Sequence, residues 1–261
     1  MRLYDCFMYN NENLILELRL NTLDKLVHKF VIVESAFDHQ GNKKKLKFNI
    51  NKFKKFKNKI IYLKLNRFPD NLSDWGRENY NRNHISQGII EAAPDDYIMI
   101  SDIDEIPRIH NMNIFENKKF TVFRQKMIYY RFNLKNTTEP YWYGSKVCKK
   151  KYLKSPQWLR KQKVKTYSFW RIDKINWHVI DNGGWHFSFV MSNSMIAKKI
   201  RSYAHREFNN KRVNNGNLID KKIKQKKDIF DRKLNFQKIK NINELPVYLL
   251  KNKKKFKHLM I

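Results

Sequence analysis

The sequence predicts an α/β protein with one domain, built on an open, mixed and mostly parallel sheet with helices on both faces. Strand-like and helical runs alternate from Arg2 to Asp102, the pattern that pairs successive strands in parallel. Hydrophobic residues make up 41% and aromatic residues 14% of the chain, enough to fill a core, and no internal repeat or linker interrupts it.

The elements follow in order. RLYDCFMY (Arg2 to Tyr9) reads as a strand, after which Leu14, Ile15, Leu18, Leu23 and Leu26 recur at helical spacing. KFVIVES (Lys29 to Ser35) is a buried strand by its Val and Ile content. The lysine-rich segment from Phe48 to Phe56 is expected to be helical and leads into the strand KIIYLKL (Lys59 to Leu65). Asp74 is placed to cap a helix that runs to Ala93 and stops before Pro94, and DYIMISD is the next strand. Beyond Pro107 the rhythm changes. Phe120 to Lys135 is a long strand or hairpin, and Ile175 to Val190 is a strand pair around a Gly-Gly turn. Helices are expected from Ser192 to Asn209 and from Asn217 to about Asp231, with a basic tail at the end that is loosely attached or membrane-associated.

The 261 residues carry 55 Lys plus Arg against 24 Asp plus Glu, a formal net charge of +31. Such an excess attracts polyanions, although a Lys- and Asn-rich bias spread from end to end also follows from an AT-rich genome. No zinc finger, RNA-binding signature or P-loop accompanies the charge, so specific nucleic-acid binding is not expected. Peripheral contact with an anionic membrane is. Cys6 and Cys148 are too few for a disulfide framework and suggest a reducing compartment. Without an apolar signal region or a run long enough to span a bilayer, the chain is expected to be soluble and cytoplasmic.

DDYIMISDIDEIP (Asp95 to Pro107) runs an oily strand into three carboxylates, Asp102, Asp104 and Glu105. In extended backbone Asp102 and Asp104 point to one side and form a hard-oxygen site for Mg²⁺ or Mn²⁺, whose open positions suit a diphosphate. The alternative is a strand cap or surface turn. Glu34 ends another strand, and ligands of open α/β sheets bind beyond such ends.

YDCFMYNNENLILELRLNTL, DKLVHKFVIVES, WGRENYNRN from Trp75, DDYIMISDIDEIP and GGWHFSF, in this order and spacing over residues 2 to 210, resemble glycosyltransferase family 17. The resemblance implies a GT-A fold and inverting transfer from a UDP-sugar, N-acetylglucosamine in the eukaryotic members, to a glycan hydroxyl. It implies a domain over 1–245, with a nucleotide-binding half (1–107), an acceptor-side half (108–210) and a helical part (211–245), followed by a basic tail (246–261). Asp104 and Asp102 become metal ligands, with Asp102 also nearer the nucleotide. His186 completes the metal set and tilts the ion toward Mn²⁺. Glu34 would face uridine or ribose, Arg82 the diphosphate, and the Gly183-Gly184 pair would let the backbone approach the nucleotide. Glu207 is the candidate base, with Glu105 in reserve. Tyr129, Tyr130, Trp142 and Tyr143 are candidate acceptor platforms, at least half of them expected in the core. A UDP-sugar hydrolase or nucleotidyltransferase using the same carboxylates, and a basic nucleic-acid-binding protein, are the alternatives.

Overall fold

The computed structural model describes residues 1–38, 40–164, 175–202 and 215–261. The first strand, β1 (Leu3–Met8), buries Leu3 and Phe7 on one face and Tyr4 and Cys6 on the other, so it needs cover on both sides. That cover comes from the elements that follow: α1 (Asn13–Leu23), β2 (Val27–Ser35), a 3₁₀ segment (Ile50–Lys59), β3 (Ile60–Leu65), α2 (Asp74–Asn83), a second 3₁₀ segment (His84–Ile89) and β4 (Tyr97–Asp102). In the sheet, β4, β1, β2 and β3 lie side by side and parallel. Leu16, Leu20, Phe53 and Phe56 cover the face of Leu3 and Phe7, whereas Ile85, Ile89 and Leu159 cover the face of Tyr4 and Cys6.

The second half adds β5 (Glu105–Pro107), β6 (Phe120–Tyr129), β7 (Leu134–Asn136), β8 (Tyr141–Lys149), α3 (Pro156–Lys161), β9 (His178–Ile180), β10 (Gly184–Ser188), α4 (Asn193–Ser202), α5 (Gly216–Lys224), β11 (Phe236–Lys238), α6 (Val247–Lys251) and α7 (Lys253–Phe256). β8 runs antiparallel to both β4 and β6 and so joins the two halves. The described residues form an open, mixed, mostly parallel sheet of 11 strands, as the sequence predicts.

Several local expectations change. The lysine-rich segment is 3₁₀ rather than α, with Phe53 leaving helical backbone at φ −128° so that it and Phe56 both reach the core. Ser73, not Asp74, caps α2, its hydroxyl accepting from the Gly76 amide at 3.0 Å. β9 and β10 do not form a hairpin: both lie parallel to β6, β9 along Thr121–Phe123 and β10 along Lys126–Tyr129. α5 ends at Lys224, short of Asp231. The tail is docked, with Leu249, Phe256 and Leu259 in the main core.

One ion pair spans the core. Arg19 on α1 and Asp5 on β1 are both fully buried, with Nε to Oδ2 at 2.7 Å and Nη2 to Oδ1 at 2.5 Å. The remaining guanidinium nitrogen, Nη1, donates to the carbonyl oxygens of Asp102 (3.1 Å), Ile103 (3.3 Å) and Glu105 (2.7 Å). Arg19→Met leaves Asp5 charged and alone in the core and should cost about 3–5 kcal/mol, whereas joint Asp5→Leu and Arg19→Met should recover part of that loss. Urea denaturation midpoints of the two variants check this.

Candidate functional site

β1, β2 and β4 are parallel, so their carboxyl ends open on one side of the sheet, and a cavity of about 350 Å³ lies there. Tyr9 and Asn10 after β1, Ser35 at the end of β2, Asp102 at the end of β4 and Ile103 and Asp104 just beyond it contribute to its wall. Arg82 and Glu78 reach it from α2, His186 and Ser188 from β10, and Lys199 from α4.

The sequence expects Asp102 and Asp104 to point the same way, but β4 ends at Asp102 and the chain turns. The two carboxylates therefore part. Asp102 faces two arginines, with Arg160 Nη2 at 2.6 Å from Oδ2 and Arg82 Nη2 at 3.3 Å from Oδ1. Burial works against its charge, but Arg160 and Arg82 outweigh that and hold the carboxyl well below the usual carboxylate range. Asp104 faces the cavity, with Oδ1 3.7 Å from His186 Nε2 and Oδ2 3.6 Å from Lys199 Nζ. Asp104 and His186 are thus brought together, and Asp102 is not aimed with them. Among the described residues no group of three His, Cys, Asp or Glu side chains is placed to hold a metal ion.

Glu105 is fully buried and does not line the cavity. Its Oε1 accepts from Trp142 Nε1 (2.6 Å) and Arg160 Nη2 (2.8 Å), and its Oε2 from Arg160 Nη1 (2.9 Å) and the Asp102 amide (3.0 Å). With both oxygens occupied, it holds the turn together and has no open position for a proton from the cavity. That removes it as the reserve base. Glu207, the first choice, lies outside the described residues.

Arg82 is buried rather than a surface arginine and is committed to Glu78, Asp102 and Gln157. Glu34 turns away from the cavity. Its carboxylate accepts from the amides of Lys47 (2.8 Å) and Phe48 (3.0 Å) and from the Tyr62 hydroxyl (2.8 Å), so it supports a loop and does not face a ligand. The glycine pair also serves the scaffold. A Cβ on Gly184, at φ +119°, would lie 2.2 Å from the Ile106 carbonyl oxygen, and one on Gly183 would lie 2.6 Å from that of Ile180. Neither glycine lines the cavity.

The four aromatics divide. Tyr130 is fully buried and donates to Asp228 Oδ1 at 2.7 Å, so it belongs to the core. Tyr129 is buried but touches the cavity wall. Trp142 is 42% exposed, lines the cavity and stands 5.7 Å from the His186 ring, centroid to centroid. Tyr143 is exposed but outside the cavity wall.

Arg160, Lys199 and Glu12 were not singled out in the sequence. Ser155-Pro156 marks the start of α3, since Ser155 caps it and Pro is suited to the first turn, but nothing local says that Arg160 reaches Asp102. Lys199 lies between the buried Ile196 and Ile200 of α4. Glu12 lies in the cavity wall, accepts from the Asn10 amide at 2.7 Å and stands 3.9 Å from Lys199 Nζ. Burial raises its carboxyl, with Lys199 and the Asn10 amide opposing.

The sequence profile of glycosyltransferase family 17 matches residues 1–261, beyond the residues 2–210 over which the resemblance is read. Over 116 residues the chain is 30% identical to the β-1,4-mannosyl-glycoprotein 4-β-N-acetylglucosaminyltransferases of Homo sapiens and Rattus norvegicus and 29% identical to that of Mus musculus. These matches cover 41% of this chain and only 22% of the length of each relative.

Lys146 on β8 holds α3 in place, donating from Nζ to the carbonyl oxygens of Arg160 (2.7 Å) and Gln162 (2.6 Å). Burial, and then the charge of Arg160, lowers its ammonium to about 8. The unfolded chain keeps that proton to about pH 10.4. Between these values the unfolded state binds more protons, so this group makes stability rise with pH. Lys146→Met lacks that rise. The stability gap between wild type and variant should therefore widen from about pH 7 to about pH 9.5, read by urea denaturation at both.

Proposed function

The chain belongs to glycosyltransferase family 17, and from that premise we propose that it transfers N-acetylglucosamine from a UDP-sugar to a glycan hydroxyl, with a divalent ion and inversion at the anomeric carbon. The observation that carries this reading is the meeting of Asp104 and His186 in a cavity at the carboxyl ends of the parallel strands.

The residues present fit a divalent ion. Their 3.7 Å separation is too long for a hydrogen bond, yet two bonds of about 2.1 Å to one ion can span it. His186 Nδ1 is buried without a hydrogen-bond partner among the described residues, so none of them fixes which ring nitrogen carries the proton. Asp104 and His186 would hold Mn²⁺ or Mg²⁺, which when bound neutralises charge on the departing diphosphate. Lys44 and Lys199 add positive charge to the same wall. Asp102 anchors the turn between its two arginines and is left out of the proposed metal set.

Inversion needs an acceptor hydroxyl in line behind the sugar and a carboxylate to take its proton. Among the described cavity residues Glu12 suits that role, because its carboxylate lies in the wall and burial raises its affinity for a proton. As pH falls through that raised value the base is protonated and activity declines. Trp142, pinned through Nε1 to Glu105, offers an indole face on which an acceptor sugar can stack.

Calorimetric titration of UDP and UDP-N-acetylglucosamine, with Mn²⁺ and with chelator, tests the donor half. Binding should require the ion and weaken by about 100-fold in Asp104→Ala; no binding under any metal condition would overturn the reading. For the base, Glu12→Gln should lower kcat by about 100-fold or more with donor affinity retained. If Glu207→Gln does this and Glu12→Gln does not, the base is Glu207.

A further inference from the structure

A second cavity, of about 640 Å³, opens at the free edge of the sheet and shares no lining residue with the first. Ile60, Tyr62 and Lys64 alternate along β3 onto one face and form its floor. Across from them the loop after β2 supplies Leu46 and Phe48 and the start of the first 3₁₀ segment supplies Ile50, with the Phe48 and Tyr62 rings 4.5 Å apart. The wall is therefore apolar. Its rim is cationic: Lys47, Lys57 and Lys64 line the opening, all exposed, and none pairs with a carboxylate among the described residues.

We propose that this cavity and the lysines around it dock the protein on an anionic lipid bilayer, with a phosphate headgroup among Lys47, Lys57 and Lys64 and the first methylenes of its chains against Leu46, Phe48 and Ile50. Apolar wall and cationic rim match the two ends of a phospholipid, whereas a nucleic-acid backbone would leave the wall unused. The surroundings carry the same charge. The 3₁₀ segment that buries Phe53 and Phe56 exposes Lys52, Lys54 and Lys55 on its outer side. Over the same face of the sheet, α6 and α7 bury Leu249 and Phe256 in the same core and expose Lys251, Lys253 and Lys254. Each lysine near an anionic surface strengthens attachment by roughly fivefold.

Docking would also touch the first cavity. Glu34 stands between the two: its Oε1 lies 3.9 Å from Lys44 Nζ, which lines the first, and its Oε2 accepts from Phe48 and Tyr62 of the second. A bilayer held at the lysine rim therefore lies beside the loop that walls both. The proposal does not depend on the transfer reaction.

Vesicle co-sedimentation tests it, using phosphatidylcholine alone or with phosphatidylglycerol. The variants are the triple Lys47→Glu, Lys57→Glu, Lys64→Glu and a control of equal charge change, Lys118→Glu, Lys226→Glu, Lys227→Glu, at exposed lysines elsewhere. Thermal melting confirms that both triples fold. The expected result is binding only to phosphatidylglycerol vesicles, weakened at least tenfold by the first triple and less than about threefold by the control. Equal loss in both triples would mean that net charge alone acts, and no vesicle binding by the wild type would end the idea outright. Soluble glycerophosphate that binds as tightly as the vesicles would make the cavity a small-phosphate site and overturn the bilayer proposal.

Discussion

Everything at the first cavity depends on how the turn from Asp102 to Glu105 is held. A strand end that carries three carboxylates repels itself and has carbonyl groups with no strand partner. Arg19 resolves the second difficulty from below, by donating one nitrogen to three of those carbonyl oxygens. It can stay charged in the core only because Asp5, one strand over, accepts from its other two nitrogens. The pair therefore links α1, β1 and the end of β4 into one rigid unit.

The repulsion between carboxylates is resolved from the other side. Arg160 grips Glu105 with two nitrogens and Asp102 with one of them, so two of the three negative charges are matched in geometry as well as sign. Asp104 is the exception. Its basic neighbours among the described residues are His186 at 3.7 Å and Lys199 at 3.6 Å, both beyond hydrogen-bond range. Of the three carboxylates it is the one left loosely compensated, and it faces the cavity. Two of the acids build the turn so that the third can be presented.

Much of this was legible in the sequence where the physics is local. Short apolar runs alternating with helical patterns located β1 to β4, and the strand ends located the cavity, because both follow from short-range pattern and parallel pairing. The partners of Asp102 were not legible, since Arg160 comes 58 residues later and approaches through a helix whose direction depends on packing. Extended backbone through Ile103 was a fair assumption that the turn overrides. Gly183-Gly184 was read as a ligand approach, yet the close neighbours are the protein's own backbone, and a sequence cannot tell one from the other. Arg19 could have been found: it falls four residues from both Ile15 and Leu23, on a stripe that is otherwise apolar. Asp5 likewise interrupts an oily strand. A charge on a buried stripe, with an opposite charge on the neighbouring element, signals a core ion pair.

The same separation of roles extends outward from the turn. Glu34 ends a strand as Asp102 does, and from sequence both look like ligands for whatever binds beyond the sheet. Yet Glu34 spends its lone pairs on two loop amides and a tyrosine, as Glu105 spends its own on an amide, an indole and a guanidinium. A carboxylate with no exposed oxygen cannot also take a proton or bind a substrate. Fully buried acids at the carboxyl ends of these strands therefore act as the fixings of the cavity wall. In the proposed transfer, chemistry is left to groups that line the cavity: Asp104, His186 and Trp142.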